Sequence, residues 1–258
     1  MNEARKLIET SARRLCRDEE AEQCVLGQVP HHFIYSGWCD GGRVTEGVSL
    51  GDFCSCKPSL SPNPDIRDCV TFQALSGASQ TGPNVFWSLA ALHYAAVSGN
   101  MTWLADFMPQ LRYAASFLLE MYDPAQHMLK ATGPLWIDTF IRENYTTDSN
   151  AGMVMLSRRL AVAEAVFGNA SGAHFFDELA DNITTGMNAM LWLGDHYASY
   201  GSLDTPVRER VAARPLNSAS NVGPQAAGGA SSGAFVIFDR VDYGATAWPR
   251  DSTRCCWH

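Results

Sequence analysis

GPLWIDTFIRENYTTDSN, residues 133–150, is the segment around which the rest of the chain is arranged. It places Trp136, Asp138, Arg142, Glu143, Asn144, Tyr145, Asp148 and Asn150 within eighteen residues, between two segments of helical periodicity. A connection of that length in a compact helical protein is more often functional than incidental. An ordinary solvated loop also collects Asp, Asn and Thr, but it has no need of Trp136 or of Phe140-Ile141 beside the charges. The segment reads as the floor or wall of a site.

On either side of it the same pattern occurs. Upstream, Thr81-Gly82-Pro83-Asn84 is a helix lead-in with Asn84 as the cap. Phe86, Leu89, Ala90, His93 and Val97 then form an apolar stripe that Ser98-Gly99-Asn100 ends. A short piece over 101–108 leads to Pro109, which opens the next helix with Leu111, Ala114, Ala115, Leu118 and Leu119 inward. Asp123-Pro124 closes it. Downstream, Asn150 is again in a capping position, followed by Met153, Leu156, Leu160, Ala163 and Phe167, with a stop at Gly168-Asn169. A further helix is predicted over 175–192, through Leu179, Ile183, Met187 and Leu191. Gly99-Asn100 and Gly168-Asn169 occupy equivalent turns 69 residues apart. A helical hairpin repeated at that period marks an array of α-hairpins. In a ring of such hairpins the loop with Asp138 and the loop with Asp195-His196-Tyr197 emerge at the same end and converge.

Outside the hairpins the periodicity fades. Residues 2–22 read as one amphipathic helix through Ala4, Leu7, Ile8, Ala12 and Leu15. Residues 27–83 are turn-rich, and their short pieces at 44–50 and 69–75 suit strands or single helical turns. From about 211 the chain becomes small, polar and glycine-rich, which reads as a linker followed by an unpatterned tail.

The bulk numbers limit the partners. A formal charge of −8 with no basic stripe argues against a nucleic-acid backbone. No run of eighteen apolar residues occurs, so no membrane span is expected. The N-terminal stretch lacks the apolar core of a secretory signal, which leans toward the cytoplasm, whereas sequons at Asn100, Asn144, Asn169 and Asn182 keep a secretory origin open. Cys16, Cys24, Cys39, Cys54, Cys56 and Cys69 crowd the first part of the chain, with Cys255 and Cys256 at its end. Free thiols are the favoured expectation, with disulfides as the alternative. Neither the cysteines nor the histidines have metal-ligand spacing, so neither metal nor cofactor is expected.

Chemistry centres on Asp138. A carboxyl between Trp136 and Phe140 can be desolvated and held protonated near neutrality, as a general acid on a glycosidic oxygen requires. Aromatic walls suit the apolar faces of sugar rings, and Arg142 and Asp148 can bind hydroxyls. Asp195 is the second carboxylate considered, with His196 and Tyr197 as substrate contacts. Glycoside hydrolysis needs two carboxyls roughly 5–10 Å apart.

Gln80-Thr-Gly-Pro83 with its hairpin, Leu135-Trp-Ile-Asp-Thr-Phe-Ile-Arg142, and Gly186-Met-Asn-Ala-Met-Leu-Trp192 with Asp195-His-Tyr197 together resemble the six-hairpin glycosidases. The nearest members are glycogen-debranching-like and processing α-glucosidase-like, and the likeness is strongest over residues 70–200. It implies an all-α fold, an (α/α)6 toroid with long irregular loops, acting on α-linked glucosides or oligosaccharides. Asp138 takes the general-acid position and Trp136 and Arg142 the flanking contacts. The late hairpin that supplies the base in that family has no counterpart here. The expectation is therefore an incomplete toroid over 1–210, with 211–258 as linker and divergent tail. That expectation includes inactivity through truncation, and open hairpin faces that favour self-association. The alternative is a non-catalytic helical-repeat protein that binds carbohydrate or protein.

Overall fold

The computed structural model describes residues 2–17, 24–34, 44–45, 48–49, 54–58, 67–72, 80–131, 135 and 144–201. The chain divides into two units, Met1–Arg214 and Pro215–His258, and every described residue belongs to the first. The predicted linker and tail thus lie outside the described residues.

Two helical hairpins form the body. α1 is Asn2–Ala12, α2 Gly82–Ser98, α3 Met101–Leu119, α4 Thr147–Val166 and α5 Ala170–Met190. The hairpin turns repeat as the sequence predicts. Gly99 (φ 67°) and Gly168 (φ 76°) take the left-handed conformation that ends a helix, and Asn100 and Asn169 cap the next one. Asn100 accepts from Trp103 N at 3.1 Å and Asn169 from Gly172 N at 3.1 Å.

Four sequence expectations change. α1 stops at Ala12 instead of running to residue 22, because the chain turns back there: Cys16 N donates to Gln28 O and Gly27 N to Cys16 O. That return brings Cys24 to Cys16, their Cα atoms 6.0 Å apart, and they form a disulfide; Cys69 is disulfide-bonded as well. The free-thiol expectation fails for these three. Pro109 lies inside α3 rather than at a new helix start. Trp103, Leu104, Phe107 and Met108 before it and Leu111 after it share one buried face, so packing offsets the lost hydrogen bond. Asn84 and Asn150 are not caps. Each is buried near the beginning of its helix and bonds backbone outside it.

The α2 stripe is a fifth difference. Phe86, Ala90, His93 and Val97 are exposed, Phe86 at 47% and Val97 at 63%, and Leu89 is half-buried. The packing face is instead Val85, Trp87, Ala91, Leu92 and Ala95. α2 therefore carries apolar residues on two faces. α4 does the same, burying Met153, Leu156, Leu160 and Ala163 while exposing Met155, Val162 and Val166. A helix apolar all round suits an inner layer covered on both sides. In α5 the predicted inward residues Leu179, Ile183 and Met187 are buried.

In the lead-in the short pieces take the strand reading, adding small sheets to a mostly helical body. β1 (His32–Ile34), β5 (Arg67–Thr71) and β4 (Cys54–Pro58) form an antiparallel sheet in that order, and β2 (Val44–Thr45) pairs with β3 (Val48–Ser49). Downstream, β6 (Tyr122–Asp123) pairs with β7 (Met128–Leu129), and β8 (Tyr145–Thr146) with β9 (Tyr200–Gly201). No described helix is long and apolar enough to cross a membrane.

Asn84 joins the lead-in to both helices of the first hairpin. Its Nδ2 donates to Gly27 O (2.8 Å) and Ala114 O (2.9 Å), and its Oδ1 accepts from Val29 N (2.9 Å). Asn84→Ala would leave three buried backbone groups without their partner, and should destabilise the protein by about 2–4 kcal/mol in chemical denaturation. A loss under about 0.5 kcal/mol would contradict this assignment.

Candidate functional site

The helix starts bring the central loops together. Thr81 Oγ1 donates to Ser149 Oγ at 2.8 Å, so α2 and α4 begin side by side. Leu135 lies between these starts. A Cβ on Gly82 would fall 1.5 Å from Leu135 O, and one on Gly152 would fall 3.1 Å from Leu135 Cδ1. At Gly82 only a glycine allows the backbone of the segment this close, while at Gly152 a methyl would press on the Leu135 side chain. Leu135 N also donates to Asp148 Oδ2 at 3.2 Å, while Asp148 Oδ1 accepts from Ser149 N at 2.9 Å. Asp148, a predicted substrate contact, thus uses both oxygens on backbone amides.

The loop after α5 returns to the same place. Tyr145 pairs with Gly201 and Thr146 with Tyr200, Thr147 N donates to Ser199 O at 3.0 Å, and Thr147 Oγ1 donates to Ala198 O. The end of the central insert is therefore paired with the end of the loop after α5, while the expected convergence of Asp138 with Asp195, His196 and Tyr197 involves a position outside the described residues. Within that loop the residues face outward. Asp195 has a side chain 86% exposed and pairs with His196 Nδ1 at 2.6 Å, and Tyr197 donates from its hydroxyl to Asn188 Oδ1. Tyr197 also meets Trp192 edge-on at 4.9 Å. Trp136, Asp138 and Arg142 lie outside the described residues.

Two polar groups near these loops were not singled out from the sequence. The first is His31 with His32, ring centroids 4.0 Å apart, where His31 Nε2 lies 2.5 Å from Gln80 Oε1 and His32 Nδ1 lies 3.3 Å from Thr71 Oγ1. Two half-buried imidazoles can bridge a hydroxyl or pass a proton between them. The doublet is visible in the sequence, but nothing there links residue 31 to residue 80. The second is the pair Asp123 and Tyr145, with Tyr145 Oη donating to Asp123 Oδ2 at 2.6 Å. That hydrogen bond is the main cause holding the Asp123 carboxyl below the usual range. Burial first, and Asp123 second, push the Tyr145 hydroxyl up to about 12. Among the described residues no group of three or more His, Cys, Asp or Glu is gathered as a metal site.

No family model matches the chain, and no curated protein does. Among solved structures it is similar to the GH78 family rhamnosidase of Bacillus sp. GL1, with 25% identity and a TM-score of 0.43. The likeness covers 48% of this chain and 14% of that one, so the chain spans a small part of that enzyme's length.

The Asp123–Tyr145 bond sets a pH dependence with two limbs. The raised Tyr145 value makes its contribution complete below about pH 10 and lost as the pH rises through about 12. The lowered Asp123 value makes its contribution present above the ordinary carboxylate range and lost as the pH falls through the depressed value. Tyr145→Phe should cost about 1 kcal/mol at neutral pH and flatten both limbs of the stability profile measured by urea unfolding. Unchanged limbs would mean that other groups carry them.

Proposed function

We propose that this chain is a glycoside hydrolase-like protein of the hairpin-toroid kind, acting on O-glycosidic bonds of α-linked glucosides or oligosaccharides with Asp138 as the general acid. The observation that carries the reading is the joint between loops. Leu135 is locked at the starts of α2 and α4, and the other end of the insert is strand-paired to the loop after α5. Asp138 follows Leu135 by three residues in the sequence, flanked by Trp136 and Phe140. A loop fixed at both ends on a helical scaffold is the kind of support a catalytic carboxyl needs. The doubly apolar α2 and α4 fit the inner layer of a toroid whose remaining hairpins would cover their second face. On this reading the glycosidase belongs with the debranching-like or processing α-glucosidase-like members.

A specific observation favours the non-catalytic alternative. The Asp195 side chain is exposed and paired with its neighbour His196, and Asp148 is committed to its own loop. Without a second carboxylate the same surface would bind an oligosaccharide and leave it intact.

Hydrolysis of α-disaccharides and of aryl α-glucosides and α-rhamnosides by the wild type and Asp138→Asn separates these readings. The enzyme reading expects turnover that the substitution lowers by about a hundredfold or more. Equal turnover in both proteins would exclude Asp138 as the acid, and calorimetric binding without turnover would establish the alternative. Gly82→Ala supplies a second arm. Its methyl would collide with Leu135 O, and a displaced loop should lower kcat/KM by about a hundredfold in a protein that remains folded by circular dichroism. A folded Gly82→Ala protein with wild-type turnover would separate the loop anchor from the chemistry.

A further inference from the structure

The two hairpin turns carry matched sequons, Asn100-Met-Thr102 and Asn169-Ala-Ser171. Their backbones agree closely: Asn100 has φ −82° and ψ 70°, and Asn169 has φ −87° and ψ 76°. In both, Oδ1 accepts the capping amide (at Asn169 it accepts from the Ser171 hydroxyl as well), and Nδ2 is the atom a sugar would take.

At Asn169 the nitrogen is committed. Nδ2 donates to Glu164 Oε2 at 2.7 Å, and the Glu164 side chain, 1% exposed, is held by Arg112 Nε at 2.6 Å and Nη2 at 2.7 Å. Arg112's hydrogen bond is the main cause keeping the Glu164 carboxyl below the usual range. The nitrogen is also crowded, since a Cβ on Gly172 would lie 2.4 Å from it. A sugar there would have to displace the buried carboxylate's partner in an ion pair that ties the two hairpins together. At Asn100, Nδ2 has no hydrogen-bond partner among the described residues, and Gly99, Met101 and Thr102 around it are exposed. A sugar on Nδ2 keeps Oδ1 as an amide carbonyl, so the cap survives.

The other two sequons are less open. Asn144 has φ 66° and precedes Tyr145 and Thr146, both buried. Asn182 is half-buried on α5 and hydrogen-bonded to Tyr122. The Cys16–Cys24 disulfide and the bonded Cys69 supply the matching compartment, because disulfides persist where thiols are oxidised, as in the secretory lumen where N-linked oligosaccharides are added.

We infer that the chain matures in an oxidising secretory compartment, that Asn100 carries an N-linked oligosaccharide, and that its counterpart Asn169 stays unmodified. Nδ2 forms a carbon–nitrogen bond to the anomeric carbon of a polyprenyl-diphosphate-linked oligosaccharide. The bond from that carbon to the diphosphate oxygen breaks, the lipid diphosphate leaves with the electron pair, and the Nδ2 proton passes to a base of the transferase. Each pair of cysteine thiols, on forming its S–S bond, gives two electrons and two protons to a disulfide-carrying oxidant of the compartment, whose own disulfide is reduced to two thiols.

The test is expression of the full chain behind a secretory leader in a eukaryotic host, with protein taken from both lumen and medium. Peptide N-glycosidase digestion in heavy-oxygen water followed by mass spectrometry should label Asn100 and leave Asn169 unlabelled. Asn100→Gln and Thr102→Ala should each remove one glycosidase-sensitive mobility step, whereas Asn169→Gln should remove none. Thr102→Ala leaves the cap intact, so it separates loss of the acceptor from misfolding. Alkylation without reductant should spare Cys16 and Cys24. An unlabelled Asn100, a labelled Asn169 or alkylated Cys16 and Cys24 would overturn the inference.

Discussion

The starts of α2 and α4 impose the constraint on which the rest of this structure depends. A helix buried at its beginning leaves backbone groups around it that need partners where water does not reach. The chain meets this need with one buried asparagine per hairpin. Asn84 bonds Gly27, Val29 and Ala114, and Asn150 accepts from Leu129 N while donating to Leu129 O and Thr146 O. An amide side chain is suited to this work because it donates and accepts at once. Each asparagine fastens the segment that precedes its helix, so the lead-in and the β6–β7 hairpin are fixed by the same device used twice.

From these fixed starts the loops follow. Thr81 and Ser149 bring the two starts into contact, the glycines beside them admit Leu135, and β8 and β9 bring the chain after α5 back to the insert. At the other end the Arg112–Glu164 ion pair joins α3 to α4, with Asn169 completing the carboxylate's hydrogen bonds. The hairpins are thus joined by polar contacts at both ends and by apolar packing between them.

The sequence made the repeat legible because Gly99-Asn100 and Gly168-Asn169 are local signals: a left-handed glycine and a cap need no distant partner. The inward residues of α3 and α5 were legible for the same reason, since one apolar stripe on an otherwise polar helix has one reading. α2 has two apolar stripes, and periodicity cannot choose between them; the packing of Trp87, Ala91 and Ala95 does. Asn84 and Asn150 were misread as caps because a buried asparagine and a capping one look alike until the distant carbonyl is known. Pro109 and the turn after Ala12 were missed because tertiary contacts override local propensity there. Of the candidate site, the meeting of the two loops was foreseeable from hairpin geometry. The contact between residues 31 and 80 was not, because it depends on the course of the lead-in.

Leu135 and the β8 strand act as two posts. Between them the sequence runs eight residues, 136–143. Because each post is secured by contacts of its own, the span between them is an exchangeable cassette. Substitutions or grafts of equal length there need not disturb the helix starts. Changing the length is another matter, since the posts fix the distance the cassette must bridge. A scaffold built this way lets the sequence between the posts vary over a few neighbouring codons while the hairpins remain unchanged.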